Sequence, residues 1–158
     1  MEAKATWKGK LSFTGTGDSG HEVLLGASSS IGGDDDGLRP MELFALGLAG
    51  CIGMDVISIL QKKRQEVAAF EVEVHMKRAD EHPKVFTEAE IEYFVTGKSV
   101  QEKALVRAIE LSAARYCPAQ AMLGKIMPIA IKYHIYEDTG DEKPEIVVSG
   151  TLDMALEA

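Results

Sequence analysis

The chain has 158 residues, of which 46% are hydrophobic and 27% are charged, and its formal net charge at pH 7 is −8. This length predicts a single domain over residues 1–158, with enough apolar surface for a packed core. The acidic balance argues against sequence-independent binding to nucleic acid or to an anionic membrane surface, because both need a net positive face.

The chain contains two cysteines, Cys51 and Cys117, and four histidines. Two cysteines so far apart predict neither a disulfide framework nor a four-ligand zinc site, and the histidines show no metal-ligand spacing. We therefore expect no metal and no cofactor. The first ten residues lack the apolar core of a signal peptide, which predicts a cytoplasmic location, where a cysteine pair is more typical of chemistry than of cross-linking.

The N-terminal region predicts a β-hairpin followed by a loop. Apolar and polar residues alternate from Ala3 to Phe13, which is the pattern of a half-buried strand. Turn-forming residues at 14–21 then precede a second strand at 21–27. Residues 28–40 are rich in glycine and aspartate and predict a loop.

A long helix is predicted over residues 40–65, with proline at its first position. Glu42 in the first turn and the cationic run 62–64 in the last turn both suit the helix dipole. The segment 43–54 is uncharged on every face, so the helix must be covered all round by a second sheet or a second subunit. Asp55 ends this run short of the roughly 20 residues that a bilayer requires, so no membrane span is predicted.

The remainder of the chain alternates strands with helices, and the whole order predicts an α+β fold. The strands 70–77 and 85–95 have one acidic face, and "SVQE" at 99–102 is a capping box that opens a helix. The predicted elements after the hairpin are that helix to about 115, a short helix at 117–126, a strand at 129–135 and a C-terminal extension at 137–158 with an edge strand (145–152) and a helical turn (152–158).

Local sequence gives the two cysteines different expected environments. Pro118 places Cys117 at the N-cap of the short helix, where unpaired backbone N–H groups and the helix dipole predict a lowered pKa for its thiol. The alternative is that Cys117 packs as a small apolar residue. Cys51 lies inside an apolar helix and is interpreted as structural, unless a cationic or hydrogen-bonding group reaches it from another element.

Two segments carry both cysteines, RPMELFALGLAGCIGMDV (39–56) and ELSAARYCPAQAML (110–123). Together with the strand order they resemble the OsmC/Ohr family of osmotically inducible and organic hydroperoxide resistance proteins, closest to its YhfA-like branch. The resemblance implies an intertwined homodimer with antiparallel sheets around a long central helix. It also implies a peroxidase of the oxidative stress response, in which Cys51 attacks an organic hydroperoxide or hydrogen peroxide. Cys117 then resolves the sulfenic acid as a disulfide, which an external dithiol reduces.

Two positions depart from the family's pattern. Asp18 stands where an arginine in the hairpin loop of the peroxidases would align, and Met41 stands where they have a glutamate, ten residues before the reactive cysteine. Glu42 is nine residues before Cys51 and therefore half a helical turn away from it, which favours a role in compensating the helix dipole. The other candidate supporting residues are Arg39, Arg115, His21 and a residue of the partner chain.

A second hypothesis is non-enzymatic binding of a small hydrophobic ligand in the cleft of the dimer. Glycines at positions 47, 50 and 53 suggest that another backbone or a ligand approaches the long helix closely. Met41, Met54 and Met122 would line the cleft. An acidic interaction scaffold is a third interpretation. The sequence leaves open the substrate, the reductant, which cysteine is the thiolate and the role of residues 137–158.

Overall fold

The computed structural model describes residues 1–140 and 144–152, in two compact units, Met1–Phe44 and Ala45–Ala158. A single domain over the whole chain stays a prediction. The elements, in chain order, are β1 (Ala3–Gly9), β2 (Ser12–Gly17), β3 (Glu22–Leu25), a 3-10 turn (Ser29–Ile31), α1 (Glu42–Lys62), β4 (Glu66–Arg78), β5 (Phe86–Lys98), α2 (Glu102–Leu111), a π-helical segment (Ser112–Tyr116), α3 (Pro118–Leu123), β6 (Ile129–Glu137) and β7 (Glu145–Leu152).

The first unit contains an antiparallel three-stranded sheet in the order β1-β2-β3. The prediction of one strand from Ala3 to Phe13 is wrong, because a turn at Lys10 and Leu11 divides it, with Lys10 in the left-handed region at φ 42°. A turn of two residues preserves the alternation of apolar and polar side chains, so the pattern alone could not reveal it. The predicted half-burial is also wrong, since β1 is exposed up to Lys8.

The third strand and the turn before it also differ from the prediction. Half of the predicted turn at 14–21 belongs to β2, and the chain reverses at 18–20, where Gly20 has a φ of 77°. The second predicted strand, 21–27, is confirmed in a shorter form as β3. The loop 28–40 is confirmed except for its single 3-10 turn.

The predicted long helix is confirmed as α1, with shorter ends. Pro40 lies in the turn before the helix rather than at its first position. The start is defined by Glu42, whose carboxylate accepts a hydrogen bond from the Arg39 backbone N–H at 2.9 Å and whose own N–H donates to the Arg39 carbonyl at 2.9 Å. At the other end Arg64 adopts a left-handed φ of 54°, which stops the helix after Lys62.

Within one chain, α1 is buried along a single stripe. Leu48, Ile52, Val56 and Leu60 are spaced four residues apart and are fully buried. On other faces Leu46 is 57% exposed and Met54 is 70% exposed. The chain therefore covers only part of the apolar surface that the sequence requires to be covered all round.

By length and composition, α1 is the one helix in the described part of the chain that could cross a membrane. Its most apolar window has a mean hydropathy of 2.1, and 22% of that window is buried. Core helices of globular proteins meet the same two criteria, so the absence of a membrane span stays a prediction.

The second unit contains a four-stranded sheet in the order β4-β5-β6-β7. Strands β5 and β6 are parallel, whereas the other two pairs are antiparallel, so this sheet is mixed rather than antiparallel throughout. The parallel pair arises because the chain crosses over through α2 and α3 before returning as β6. The predicted edge strand is confirmed as β7, and the predicted helical turn falls mainly on residues outside the described ones.

The predicted hairpin of β4 and β5 is confirmed, including its acidic face. On β5 the residues Ala89, Ile91, Tyr93 and Val95 point inward and are buried, while the intervening residues are partly exposed. The side chains of Ile91, Tyr93 and Val95 belong to one core cluster with the buried stripe of α1. Full burial of each large aliphatic side chain contributes about 1.5–3 kcal/mol, which makes this cluster the main source of stability.

The helix after β5 begins without the predicted capping box. Ser99 has a φ of 51°, and its backbone N–H donates to the Glu137 carboxylate at 3.0 Å. The N-cap is Gln101, which makes no side-chain capping bond. Glu102 accepts a hydrogen bond from the Tyr133 hydroxyl at 2.6 Å, so its carboxylate contacts β6 instead of Ser99.

Candidate functional site

The structure brings the two cysteines into direct contact. Cys51 lies in the middle of α1, and Cys117 lies between the π-helical segment and α3. The Cys117 thiol donates to Cys51 Sγ at 2.7 Å. Both cysteines are free, and the separation exceeds the roughly 2.05 Å of a disulfide bond. A small rotation of the side chains therefore suffices to join the two sulfurs.

Backbone hydrogen bonds on both sides hold Cys117 in place. Its N–H donates to the Ser112 carbonyl at 2.9 Å, which closes the π-helical segment. Its Sγ accepts a hydrogen bond from the Gln120 N–H at 3.3 Å in the first turn of α3. The predicted N-cap position, followed by Pro118, is confirmed. Single π-helical turns often lie at functional sites, as this one does at the cysteine pair.

The predicted lowering of the Cys117 pKa is wrong. The pKa of the Cys117 thiol is raised to about 12. Burial is the main cause, and the hydrogen bond to Cys51 is the second. The backbone N–H groups of Gln120 and Ala119 act in the opposite direction but do not compensate. The local N–H donors are present as the N-cap position predicts, but Cys117 is only 2% exposed, and its desolvation outweighs them.

Asp55 completes the cluster around the cysteines. It lies one helical turn after Cys51 on α1, and one of its carboxylate oxygens, together with the two sulfurs, forms a group in which all distances are within 4.8 Å. Ser112 Oγ donates to Asp55 Oδ2 at 3.0 Å. Asp55 was not predicted as a site residue, although its spacing of four from Cys51 was a usable signal.

Two further buried polar atoms belong to this region and were missed from the sequence. The Tyr93 hydroxyl and the Gln120 Oε1 atom have no hydrogen-bond partner within the described part of the chain. Burial raises the pKa of Tyr93 well above its usual value, and the charges of Cys117 and Asp55 contribute in the same direction. Tyr93 could have been found from its inward position on β5. Gln120 left no such signal.

The candidate supporting residues of the first unit have other local partners. The Arg39 guanidinium forms an ion pair with Asp35 and donates to the Gly37 carbonyl at 2.8 Å. The Glu42 carboxylate caps the start of α1, as its interpretation as a dipole-compensating residue expects. Asp18, at the position of the family arginine, accepts a hydrogen bond from the Glu2 backbone N–H at 3.0 Å.

His21 and Arg115 are exposed. His21 lines an apolar cavity of about 400 Å³ in the first unit, together with residues of all three strands. The Arg115 guanidinium lies 5.7 Å from the ring centroid of Tyr116. The roles of both residues in a site stay predictions.

The cluster also bears on the prediction that no metal is bound. That prediction followed from linear spacing, in which the two cysteines are too distant to suggest a site. Folding places Cys51, Asp55 and Cys117 close enough for their ligand atoms to share one metal ion. Thiolate and carboxylate groups are both zinc ligands.

An α+β protein with two free thiols in contact beside a half-buried carboxylate is of the type that carries out thiol redox chemistry. The family model described as OsmC-like protein matches residues 33–132. Protein YhfA of Escherichia coli K12 is 37% identical over 135 residues, which cover 85% of this chain and 98% of that protein. The chain belongs to the OsmC family.

Solved structures agree with this assignment. A hypothetical protein from Aquifex aeolicus VF5 is 33% identical, with a TM-score of 0.75 over 87% of this chain and 96% of its own. An organic hydroperoxide resistance protein OsmC from Legionella pneumophila is 14% identical, with a TM-score of 0.60 over 85% of this chain and 94% of its own, and it shares the fold. The predicted OsmC-like fold is confirmed. Family membership and the contact between the cysteines together support a redox role.

Proposed function

We propose that this protein is a thiol peroxidase that reduces organic hydroperoxides and, less well, hydrogen peroxide, as part of an oxidative stress response. Cys51 is the attacking residue and Cys117 is the resolving residue. The observation that carries the proposal is the 2.7 Å contact between two free sulfurs that are 66 residues apart in sequence. A resolving thiol must reach the sulfenic acid in this way for a disulfide to form.

The reaction proceeds in three balanced steps. The Cys51 thiolate attacks the terminal oxygen of the hydroperoxide, the O–O bond breaks, and the departing alkoxide takes a proton to give the alcohol. The resulting Cys51 sulfenic acid reacts with the Cys117 thiol, so that an S–S bond forms and water leaves. An external dithiol then reduces the disulfide by exchange and is itself oxidised to a disulfide.

The hydrogen bond between the cysteines supports this division of roles. Cys117 is the donor and Cys51 the acceptor, and burial keeps Cys117 protonated at neutral pH. We expect the chemistry in the reducing cytoplasm, where free thiols persist between turnovers.

We also propose that the active form is a homodimer. The resemblance to the OsmC/Ohr family implies an intertwined homodimer. In this chain Leu46 and Met54 leave a large apolar part of α1 exposed, and a second copy would cover it. Peroxide cleavage needs a cation near the reactive thiolate, and this chain has Asp18 where the family's arginine would align. In a dimer, a residue of the second chain could supply that cation.

The test is consumption of cumene hydroperoxide by purified protein in the presence of a dithiol. Wild type is expected to turn over and Cys51→Ser to be inactive. Cys117→Ser is expected to stop at a sulfenic acid on Cys51, which dimedone labels and mass spectrometry detects. Full turnover by Cys51→Ser would contradict the proposal.

A second candidate function is binding of a small hydrophobic molecule, with the cysteines incidental. It is favoured by the exposure of Met54 and Met122 and by the space beside α1, where a Cβ added at Gly47 or Gly50 would meet no atom within 4 Å. Native mass spectrometry of the purified protein tests it. A retained apolar ligand in a protein without peroxide turnover would favour this function over the first.

A further inference from the structure

The cysteine pair has a chemical capacity that redox cycling does not use. One carboxylate oxygen of Asp55 and the sulfurs of Cys51 and Cys117 lie within 4.8 Å of one another. We propose that the reduced protein binds one zinc ion per chain through these three side chains. Thiolates bind zinc in preference to harder cations, and a carboxylate is an accepted third ligand.

The three proposed ligands are positioned by α1 and by hydrogen bonds. Cys51 and Asp55 are four residues apart on α1 and therefore lie on one face of it. Ser112 holds one carboxylate oxygen of Asp55, and the Gln120 N–H holds the sulfur of Cys117. Such hydrogen bonds to metal ligands fix their orientation and strengthen binding.

The distances require only a small adjustment. Two thiolates bound at about 2.3 Å to a tetrahedral zinc ion lie roughly 3.8 Å apart. The sulfurs of Cys51 and Cys117 are 2.7 Å apart, so each must move by about half an ångström through rotation of its side chain. The two thiol protons leave to solvent as the ion binds.

The charge of the cluster also favours a cation. As ligands, both cysteines and Asp55 are negative, and Asp55 forms no ion pair within the described part of the second unit. A divalent ion reduces the total charge of the three groups from −3 to −1, which offsets the cost of burying them. Three protein ligands leave a fourth position for water, as in zinc sites that are open to a further ligand.

Two buried atoms with no partner in the described residues support a ligand here. The charges of Cys117 and Asp55 act on the Tyr93 hydroxyl, and Gln120, whose side-chain oxygen is buried, donates to Cys117 Sγ through its backbone N–H. Buried polar groups of this kind usually bind water or an ion. Zinc and a disulfide use the same sulfurs, so zinc binding would exclude oxidation of the pair.

The experiment uses the full chain, reduced and stripped of metal. Zinc is titrated against a chromophoric chelator, and cobalt is titrated as a spectroscopic substitute. We expect one ion per chain, sulfur-to-cobalt charge-transfer absorption and an intense tetrahedral d–d band. Asp55→Asn should weaken zinc binding at least tenfold, and Cys51→Ser should lose most of the charge-transfer absorption. Glu110→Gln, an exposed carboxylate on α2, is the matched control and should bind as wild type does.

Three results would overturn the proposal. They are less than half an ion per chain, cobalt binding without sulfur charge transfer, and unchanged zinc affinity in a folded Asp55→Asn variant. If circular dichroism shows that this variant is unfolded, the cobalt spectra of wild type and of the cysteine variants decide. Protein oxidised to the disulfide should bind no zinc. Because no peroxide is present, the outcome is independent of whether the proposed peroxidase activity exists.

Discussion

Ser112 Oγ donates to Asp55 Oδ2 at 3.0 Å, joining the π-helical segment to α1 across 57 positions of the chain. The same serine accepts a hydrogen bond from the Cys117 N–H at 2.9 Å through its backbone carbonyl. One buried residue therefore contacts both the carboxylate and the second cysteine of the cluster. Ser112 therefore links the segment that carries Cys117 to the helix that carries Cys51.

Replacing Ser112 with alanine removes the hydrogen bond to the partly buried Asp55 carboxylate. We expect the free energy of unfolding to fall by about 1.5–3 kcal/mol, because a carboxylate then loses its only side-chain donor among the described residues. Urea unfolding monitored by circular dichroism measures this. The control is Ser30→Ala in the exposed 3-10 turn, which should change stability by less than about 0.5 kcal/mol. Equal effects of the two substitutions would contradict the prediction.

The raised pKa of Cys117 predicts a loss of stability at alkaline pH. Its thiol ionises near 12 in the folded chain but near 9 when unfolded, so between these values the unfolded state binds fewer protons. The contribution to stability is therefore complete below about pH 9 and falls by up to about 1.4 kcal/mol per pH unit above it. Urea unfolding of reduced, chelator-treated protein at pH 8–10.5 measures the slope.

The matched variant for that measurement is Cys117→Ser, which lacks the titrating group. Its stability should decline less steeply than that of wild type over the same pH range. Ultraviolet titration of thiolate in Cys51→Ser gives a direct second measurement, and Cys117 should remain unionised at neutral pH there because burial is the main cause of its shift. Thiolate absorbance from Cys117 below pH 8 would refute the assignment.

The exposed apolar part of α1 predicts a dimer interface, and a charged side chain introduced there should dissociate the dimer. Met54 is 70% exposed within one chain, and Met54→Glu would place a carboxylate in the proposed interface. We expect wild type to elute as a dimer and the variant as a monomer in size-exclusion chromatography with light scattering. Gln61→Glu adds the same charge at an exposed position of the same helix and should remain dimeric. A dimeric Met54→Glu variant would exclude this surface as the interface.

Gly50 gives an independent test of the same interface. A Cβ added at Gly50 meets no atom within 4 Å in the chain, so alanine would stabilise an isolated helix by up to about 1 kcal/mol. If a second chain packs closely there, we instead expect Gly50→Ala to weaken dimerisation at least tenfold. Analytical ultracentrifugation measures the dissociation constant. Gly53→Ala is the control, because its Cβ makes only an ordinary contact of 3.5 Å with Val72.

Much of the fold could be predicted from short stretches of sequence. The inward register of β5, from Ala89 to Val95, follows from strict alternation over neighbouring residues. The N-cap position of Cys117 was predicted correctly from Pro118, since proline suits the first turn of a helix, although the same rule misplaced Pro40, which lies before α1. Local reasoning failed where a single tertiary contact decided the outcome, as at Ser99, whose N–H donates to Glu137 instead of opening a capping box.

The amino-acid sequence by itself determined the α+β order of elements, the family resemblance and the two cysteines as the residues to examine. Only the tertiary structure decided that Cys117 contacts Cys51, that Asp55 joins them and that the Cys117 pKa rises rather than falls. The physical reason is the distance along the chain over which each interaction acts. Helix caps and strand alternation depend on neighbours within a few residues, whereas desolvation and contacts between distant side chains depend on the whole packed core.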